Sequence, residues 1–201
     1  MLEARDYTLI IDRSASMSQC DRPDGKSRWQ IMREATFALA QKCEEFDPDG
    51  ITVYIFSGRF QRYDNVTADL VDRIFSENHP SGHTGLSGAL EHALHNYFER
   101  KSQGIAQPNG EIFLVVTDGT FRDREAVARV IINASSQIEK DEELGISFIQ
   151  VGSDRQVTDF LQWLDDDLLR AGAMFDIVDT ITLDRMETMT LTEVLMNAIV
   201  D

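Results

Sequence analysis

Apolar and polar positions fall in alternating blocks along the whole chain. Residues 7–11 (YTLII) form a short apolar run closed by a polar residue, the pattern of a buried strand. Between residues 29 and 46, Met32, Ala35, Leu39, Cys43 and Phe46 recur at steps of three and four, which predicts a helix. Ser27 and Gln30 have capping-box spacing at its start. Asp47-Pro48-Asp49-Gly50 marks a turn. Residues 51–56 (ITVYIF) then read as a strand ended by Ser57-Gly58, 61–66 as a short edge strand, and 68–76 as a short helix.

The alternation continues in the second half. Residues 79–85 (HPSGHTG) have loop composition, and Leu86, Leu90, Leu94 and Tyr97 give a helical stripe. Gly110 precedes 112–116 (IFLVV), a continuous apolar run of the parallel-strand kind. Val127, Val130, Ile131, Ala134 and Ile138 mark a helix, 146–151 (ISFIQV) a strand, and Val157, Phe160, Leu161, Leu164 and Leu168 another helix. Residues 174–178 are expected to form the last strand. Residues 191–199 form the closing helix, with Thr190 and Glu193 at capping-box spacing. No repeat, low-complexity tract or linker interrupts the series, so one domain is expected over 1–201. Repeated β-then-α units imply an α/β fold: a three-layer, doubly wound, mostly parallel sheet flanked by helices, with a short antiparallel edge strand. In such sheets ligands bind beyond the carboxyl ends of the strands.

Composition narrows the function. The 201 residues carry 19 Lys and Arg against 35 Asp and Glu, a net charge of −16. That balance argues against nucleic-acid binding and against docking on an anionic membrane. No stretch approaches the roughly 20 apolar residues of a membrane span, and the first residues do not resemble a signal peptide. The two cysteines, Cys20 and Cys43, supply neither a disulfide framework nor a four-thiolate zinc site. A cytoplasmic location is the expectation.

The residues after the strands carry the chemistry. Asp12-Arg13-Ser14-Ala15-Ser16 follows the first strand, Thr117-Asp118-Gly119 follows the IFLVV strand, and Thr84 lies in a glycine-bearing loop before a helix. Two carboxylates and three hydroxyls are hard oxygen donors, suited to Mg²⁺, Mn²⁺ or Ca²⁺ and not to zinc or copper. Singly, each reads as a turn-former or helix cap. Together, the Asp12-x-Ser14-x-Ser16 spacing, the later Thr84 and Asp118-Gly119 resemble the metal-ion-dependent adhesion site of von Willebrand factor type A (vWA) domains, whose sheet is Rossmann-like. The resemblance spans essentially the whole chain. It implies Ser14, Ser16 and Thr84 as ion ligands, and Asp12 and Asp118 as ligands or holders of bound water. Mg²⁺ is the first expectation, with Mn²⁺ or Ca²⁺ as alternatives. It further implies a protein partner that offers a carboxylate to an open coordination position, and binding without catalysis. Intracellular members of the family it resembles often serve as subunits beside ring ATPases or metal-chelating enzymes or in stress-response clusters, and some are similar to tellurium-resistance proteins.

Charge is uneven along the chain. The loop from Arg13 to Arg28 sums to +2 and that from Gly119 to Arg124 to +1, whereas residues 139–201 sum to −11. A partner rim of Arg13, Arg22, His83, Phe121 and Arg122 is therefore expected, with the arginines steering an acidic partner. Solvated surface charge is the plain alternative, and Phe121 either faces the partner or tucks under its loop. The 18–27 stretch could act as a flap contributing Asp21 or Asp24, or be an ordinary exposed loop. His92 and His95 with Glu99 read as a solvated face rather than a metal face, as does the run Asp165-Asp166-Asp167. The competing functions are a Mg²⁺-dependent hydrolase and a structural module. Against the hydrolase, Ser14 stands where aspartate-nucleophile phosphatases carry a second aspartate, and no phosphate-binding G-x-x-x-x-G-K-[ST] loop occurs.

Overall fold

The computed structural model describes residues 2–21, 24–46, 50–119 and 121–186, together with Met189, Glu193 and Asn197. Its strands are β1 (Asp6–Asp12), β2 (Ile51–Phe56), β3 (Phe60–Val66), β4 (Glu111–Thr117), β5 (Leu144–Gln150) and β6 (Val178–Thr182). They form one sheet in the order β3-β2-β1-β4-β5-β6. Among the described residues only the β2–β3 hairpin is antiparallel; the other pairs are parallel. Every residue of β4 and β5 is buried, as strands covered on both faces must be.

Helices cover both faces. On one side, α1 (Arg28–Phe46) and α2 (Ala68–Glu77) lie over Tyr7, Leu9, Ile11, Ile112, Leu114 and Val116. On the other, α3 (Ser87–Ser102), α4 (Arg124–Ser135) and α5 (Arg155–Asp166) lie over Ile10, Phe113, Val115, Ile146 and Phe148. Neighbouring residues of β1 and β4 thus serve opposite cores, the two-residue period of a strand.

Local chemistry sets where the elements begin. The capping box at α1 is formed: the Ser27 amide donates to Gln30 Oε1 at 2.8 Å, and the Gln30 amide to Ser27 Oγ at 3.2 Å. Gly110 precedes β4 with φ of +84°, and a Cβ there would lie 1.7 Å from the Glu143 carbonyl oxygen. Only glycine fits that close approach.

The expected elements recur with ends shifted by a few residues, except the last strand. Of the expected strand over 174–178 only Val178 is in a strand; β6 runs over Val178–Thr182. Met174 is 65% exposed after the Gly172 turn, and pairing with β5 starts at Val178 opposite Ile146. The apolar run leads into an edge strand rather than forming it. The closing helix over 191–199 falls outside the described residues apart from Glu193 and Asn197, and the side chain of Cys43 is also outside them. Among the described residues no helix is long and apolar enough to cross a membrane.

The topology fixes where a ligand would bind. From β1 the chain moves to β2 on one side, and it later returns to β4 on the other side of β1. The carboxyl ends of β1 and β4 therefore flank the point where the winding reverses, the usual ligand crevice of doubly wound sheets.

Candidate metal centre

Asp12 ends β1 and Thr117 ends β4, side by side at that crevice. The Asp12 side chain sits in a fixed cradle. Its Oδ1 accepts the Ser14 amide at 2.7 Å, and its Oδ2 accepts the Thr117 hydroxyl at 2.8 Å. Thr117 Oγ1 in turn accepts the Gly119 amide at 3.1 Å. From the same loop, Ser14 Oγ lies 3.0 Å from Ser16 Oγ, and Ser16 Oγ donates to Asp118 Oδ1 at 2.8 Å. Residues more than 100 positions apart thus share one row of oxygens.

The third loop is tied to the first. The Ser81 amide donates to the Arg13 carbonyl at 2.7 Å and the Ala15 amide to the Gly82 carbonyl at 3.2 Å. The Arg13 guanidinium adds bonds to Ser81 Oγ at 2.8 Å and to the His79 carbonyl at 3.3 Å. These bonds bring Thr84 against the Asp118–Gly119 turn. A Cβ on Gly119 would lie 2.3 Å from Thr84 Oγ1, so glycine is required for that approach.

Burial shapes the electrostatics. Asp12 is 0%, Ser14 2%, Thr84 6% and Asp118 4% exposed. Burial pushes the Asp12 carboxyl up to about 6, and the Asp118 charge adds to the rise, while bonds from Ser14 and Thr117 offset part of it. Asp118 has a counter-charge instead: Arg28 Nη1 reaches its Oδ2 at 2.8 Å. Burial works against the charged Arg28 guanidinium, yet bonds and charges from Asp21 and Asp118 hold its pKa above the usual value.

The donor set fits a hard divalent cation. An octahedral Mg²⁺ site with metal–oxygen bonds of about 2.0–2.1 Å has oxygen–oxygen edges of about 2.9 Å. The Ser14–Ser16 and Ser16–Asp118 oxygen spacings of 3.0 and 2.8 Å are of that order, as those of any hydroxyl hydrogen bond are, and they set the three oxygens side by side. Among the described residues no group of three or more His, Cys, Asp or Glu side chains could hold an ion. Any ion here would therefore rely on hydroxyls, while His92 and Asp167 of the two runs read as solvated faces have partners of their own. His92 meets Tyr54 Oη through Nδ1 at 2.9 Å and packs on Phe60. Asp167 pairs with Arg170.

The rim differs from the sequence expectation in one place. Phe121 is not on the rim: it is 4% exposed and packs edge-on against Phe160, because the core under α4 and α5 takes the ring. Arg13, half-buried, also tethers the Thr84 loop through Ser81 and the His79 carbonyl. Arg122 and His83 are exposed, His83 over Gly58, whose Cβ would lie 3.1 Å from the ring. Arg22 lies outside the described residues. Asp21 faces Arg28, and Asp24 accepts the Lys26 amide. Two contributors were missed from sequence. Thr117 could have been read from the T-D-G string, since a hydroxyl next to the carboxylate can brace the turn. Arg28 carries no local signal, because its partner is 90 positions away.

No protein-family model matches the chain, and no curated protein matches it. Solved structures do. The SpRpn10 VWA domain superposes with a TM-score of 0.60 at 12% identity, over 89% of this chain and 87% of that one. The fold is that of a vWA domain. The same vWA fold is shared with the D319A mutant of the PilB minor pilin from Streptococcus sanguinis (TM-score 0.60, 14% identity). It is shared also with the pilus adhesin SpaC from Lactobacillus rhamnosus GG (0.61, 11%). This chain is covered over 94% and 98% but corresponds to only 58% and 30% of those two proteins.

Proposed function

We propose that this vWA domain is a protein-binding module that captures a carboxylate of its partner through a divalent cation, Mg²⁺ in the first instance, at a metal-ion-dependent adhesion site. The observation that carries this reading is the contiguous row Ser14 Oγ, Ser16 Oγ and Asp118 Oδ1 at the reversal point of the sheet. Ser14, Ser16 and Thr84 are its ligands, and Asp12 and Asp118 act as ligands or hold bound water. When bound, the cation supplies Lewis acidity to an anionic group of the partner. The protein's part is to keep that acidity unquenched. Three of its five donors are neutral hydroxyls, and Asp12 is turned into the fold by the Ser14 amide and the Thr117 hydroxyl. The buried Asp12–Thr117–Gly119 chain of hydrogen bonds fixes the donors before any visitor arrives. The adhesin and pilin among the fold neighbours support a binding role by analogy. The partner is a protein with acidic side chains, approaching an exposed edge that carries Arg122 and His83.

Calorimetric titration with Mg²⁺, Mn²⁺ and Ca²⁺ tests the ion. Wild type is expected to bind at least one of them, and Asp12→Ala to bind none while keeping its far-ultraviolet spectrum. Heat from neither protein, or equal heat from both, would contradict the reading. Turnover of a phosphate ester by the loaded protein would favour the hydrolase instead.

A further inference from the structure

We propose that Arg28 is the resident counter-charge of the site, a positioning residue that sets how tightly the site holds a divalent cation; this rests on the ion-binding reading above. The side chain of Asp118 is fully buried, and its two oxygens are divided. Oδ1 takes the Ser16 hydroxyl and so joins the donor row, while Oδ2 takes Arg28 Nη1 at 2.8 Å. The same guanidinium reaches Asp21 Oδ2 through Nη2 at 2.5 Å and Nε at 3.0 Å. A planar fork is suited to bridging two carboxylates in this way. Its seat is built. The Arg28 amide is anchored on the Gln19 carbonyl at 2.9 Å, and Gly152, at φ of +82°, leaves the space the guanidinium fills. A Cβ on Gly152 would lie 2.8 Å from Nη2 and 2.9 Å from Cζ.

Two buried carboxylates, Asp12 and Asp118, would otherwise share this pocket with only hydroxyls and an amide to offset their charge. Arg28 neutralises one of them, which stabilises the fold in the absence of a cation. The same charge opposes an arriving divalent ion and holds half of a ligand. Affinity is therefore lower than the oxygen set alone would give, and the loaded site keeps one extra positive charge to offer an anionic partner. A cavity of about 130 Å³, lined by Asp21, Gly152, Thr182 and Asp184 among others, adjoins the guanidinium.

Mn²⁺ titration of wild type, Arg28→Gln and Arg28→Lys decides the matter, with thermal midpoints measured in chelator and in Mn²⁺. Arg28→Gln is expected to bind Mn²⁺ about tenfold more tightly, the order expected for removing one positive charge beside an ion's ligand. Its midpoint in chelator is expected to fall below that of wild type, and Mn²⁺ is expected to raise it by more. Arg28→Lys, which keeps the charge and loses the fork, is expected to stay within about threefold of wild type in affinity. A folded Arg28→Gln with unchanged or weaker Mn²⁺ binding would overturn the proposal, as would Arg28→Lys tracking Arg28→Gln. Asp21→Asn, at an exposed position, provides a second handle. It leaves the Arg28 charge less neutralised and is expected to weaken Mn²⁺ binding several-fold; tightening would overturn the proposal. Wild type binding Mn²⁺ while Arg28→Gln gains nothing would sink the role of Arg28 alone. No binding by any form would remove the ion-site reading and this inference together.

Discussion

A single methyl group at Gly119 would collide with Thr84 Oγ1, 2.3 Å away. Gly119→Ala is therefore expected to push the Thr84 loop off the Asp118 turn. Cation affinity should fall at least tenfold in calorimetry, and overpacking should lower stability by about 1–3 kcal/mol in urea denaturation. A normal affinity would mean that Thr84 is not a ligand. At this scale the sequence was informative where a motif lists its own members. Asp12, Ser14, Ser16 and Asp118 are joined by hydrogen bonds, and Thr84 lies against their turn. It was uninformative where a role depends on distant packing. Phe121 comes soon after the Thr117-Asp118-Gly119 string, yet its ring belongs to the core with Phe160. Arg13 counts as a rim charge in sequence, where nothing shows that it also ties the neighbouring loop.

At the scale of elements, α1 connects the fold to the site, because its first residue is Arg28. The capping box that starts α1 is closed from both sides. Ser27→Ala is expected to cost about 1 kcal/mol of unfolding free energy, measured as a lower urea midpoint with unchanged slope. A loss indistinguishable from zero would mean that the box is ornamental. Buried strands were legible because they are apolar throughout. IFLVV predicts five of the seven residues of β4, and ITVYIF predicts β2 to the residue. β6 was not legible for a physical reason. As an edge strand it buries Val178 and Ile181 while Asp179, Thr180 and Thr182 remain at least partly exposed. The more apolar 174–178 run beside it therefore gave the stronger strand signal. The reach of Arg28 across to β4 could not be read either, since it depends on Gly152 clearing a seat in a third loop.

At the scale of the molecule, the two ends of the sheet divide the polar chemistry. The carboxyl end holds the oxygen row; the opposite end holds Glu111, fully buried, bonded to Thr8 and paired with Arg100, which also pairs with Asp6. Burial pushes the Glu111 carboxyl up to about 7; Arg100 and Thr8 offset part of this and Asp6 adds to it. Its unfolded value is about 4.3, so between these values the folded protein holds a proton that the unfolded chain does not. The stabilisation is full below about pH 4 and is lost as pH rises through 7. Glu111→Gln should remove that component: the wild-type minus variant difference in unfolding free energy should decline from pH 4.5 to 7.5 in denaturant titrations. A difference that rises with pH would contradict the assignment. The central claim, an ion held by hydroxyls with a coordination position left open, is tested most directly by water-proton relaxation of Mn²⁺ titrated into the protein. Wild type should enhance relaxation, because bound Mn²⁺ keeps an exchanging water, and acetate should reduce the enhancement by taking that position. Asp12→Asn should show neither effect. No enhancement in wild type, or enhancement that acetate leaves untouched, would contradict the claim.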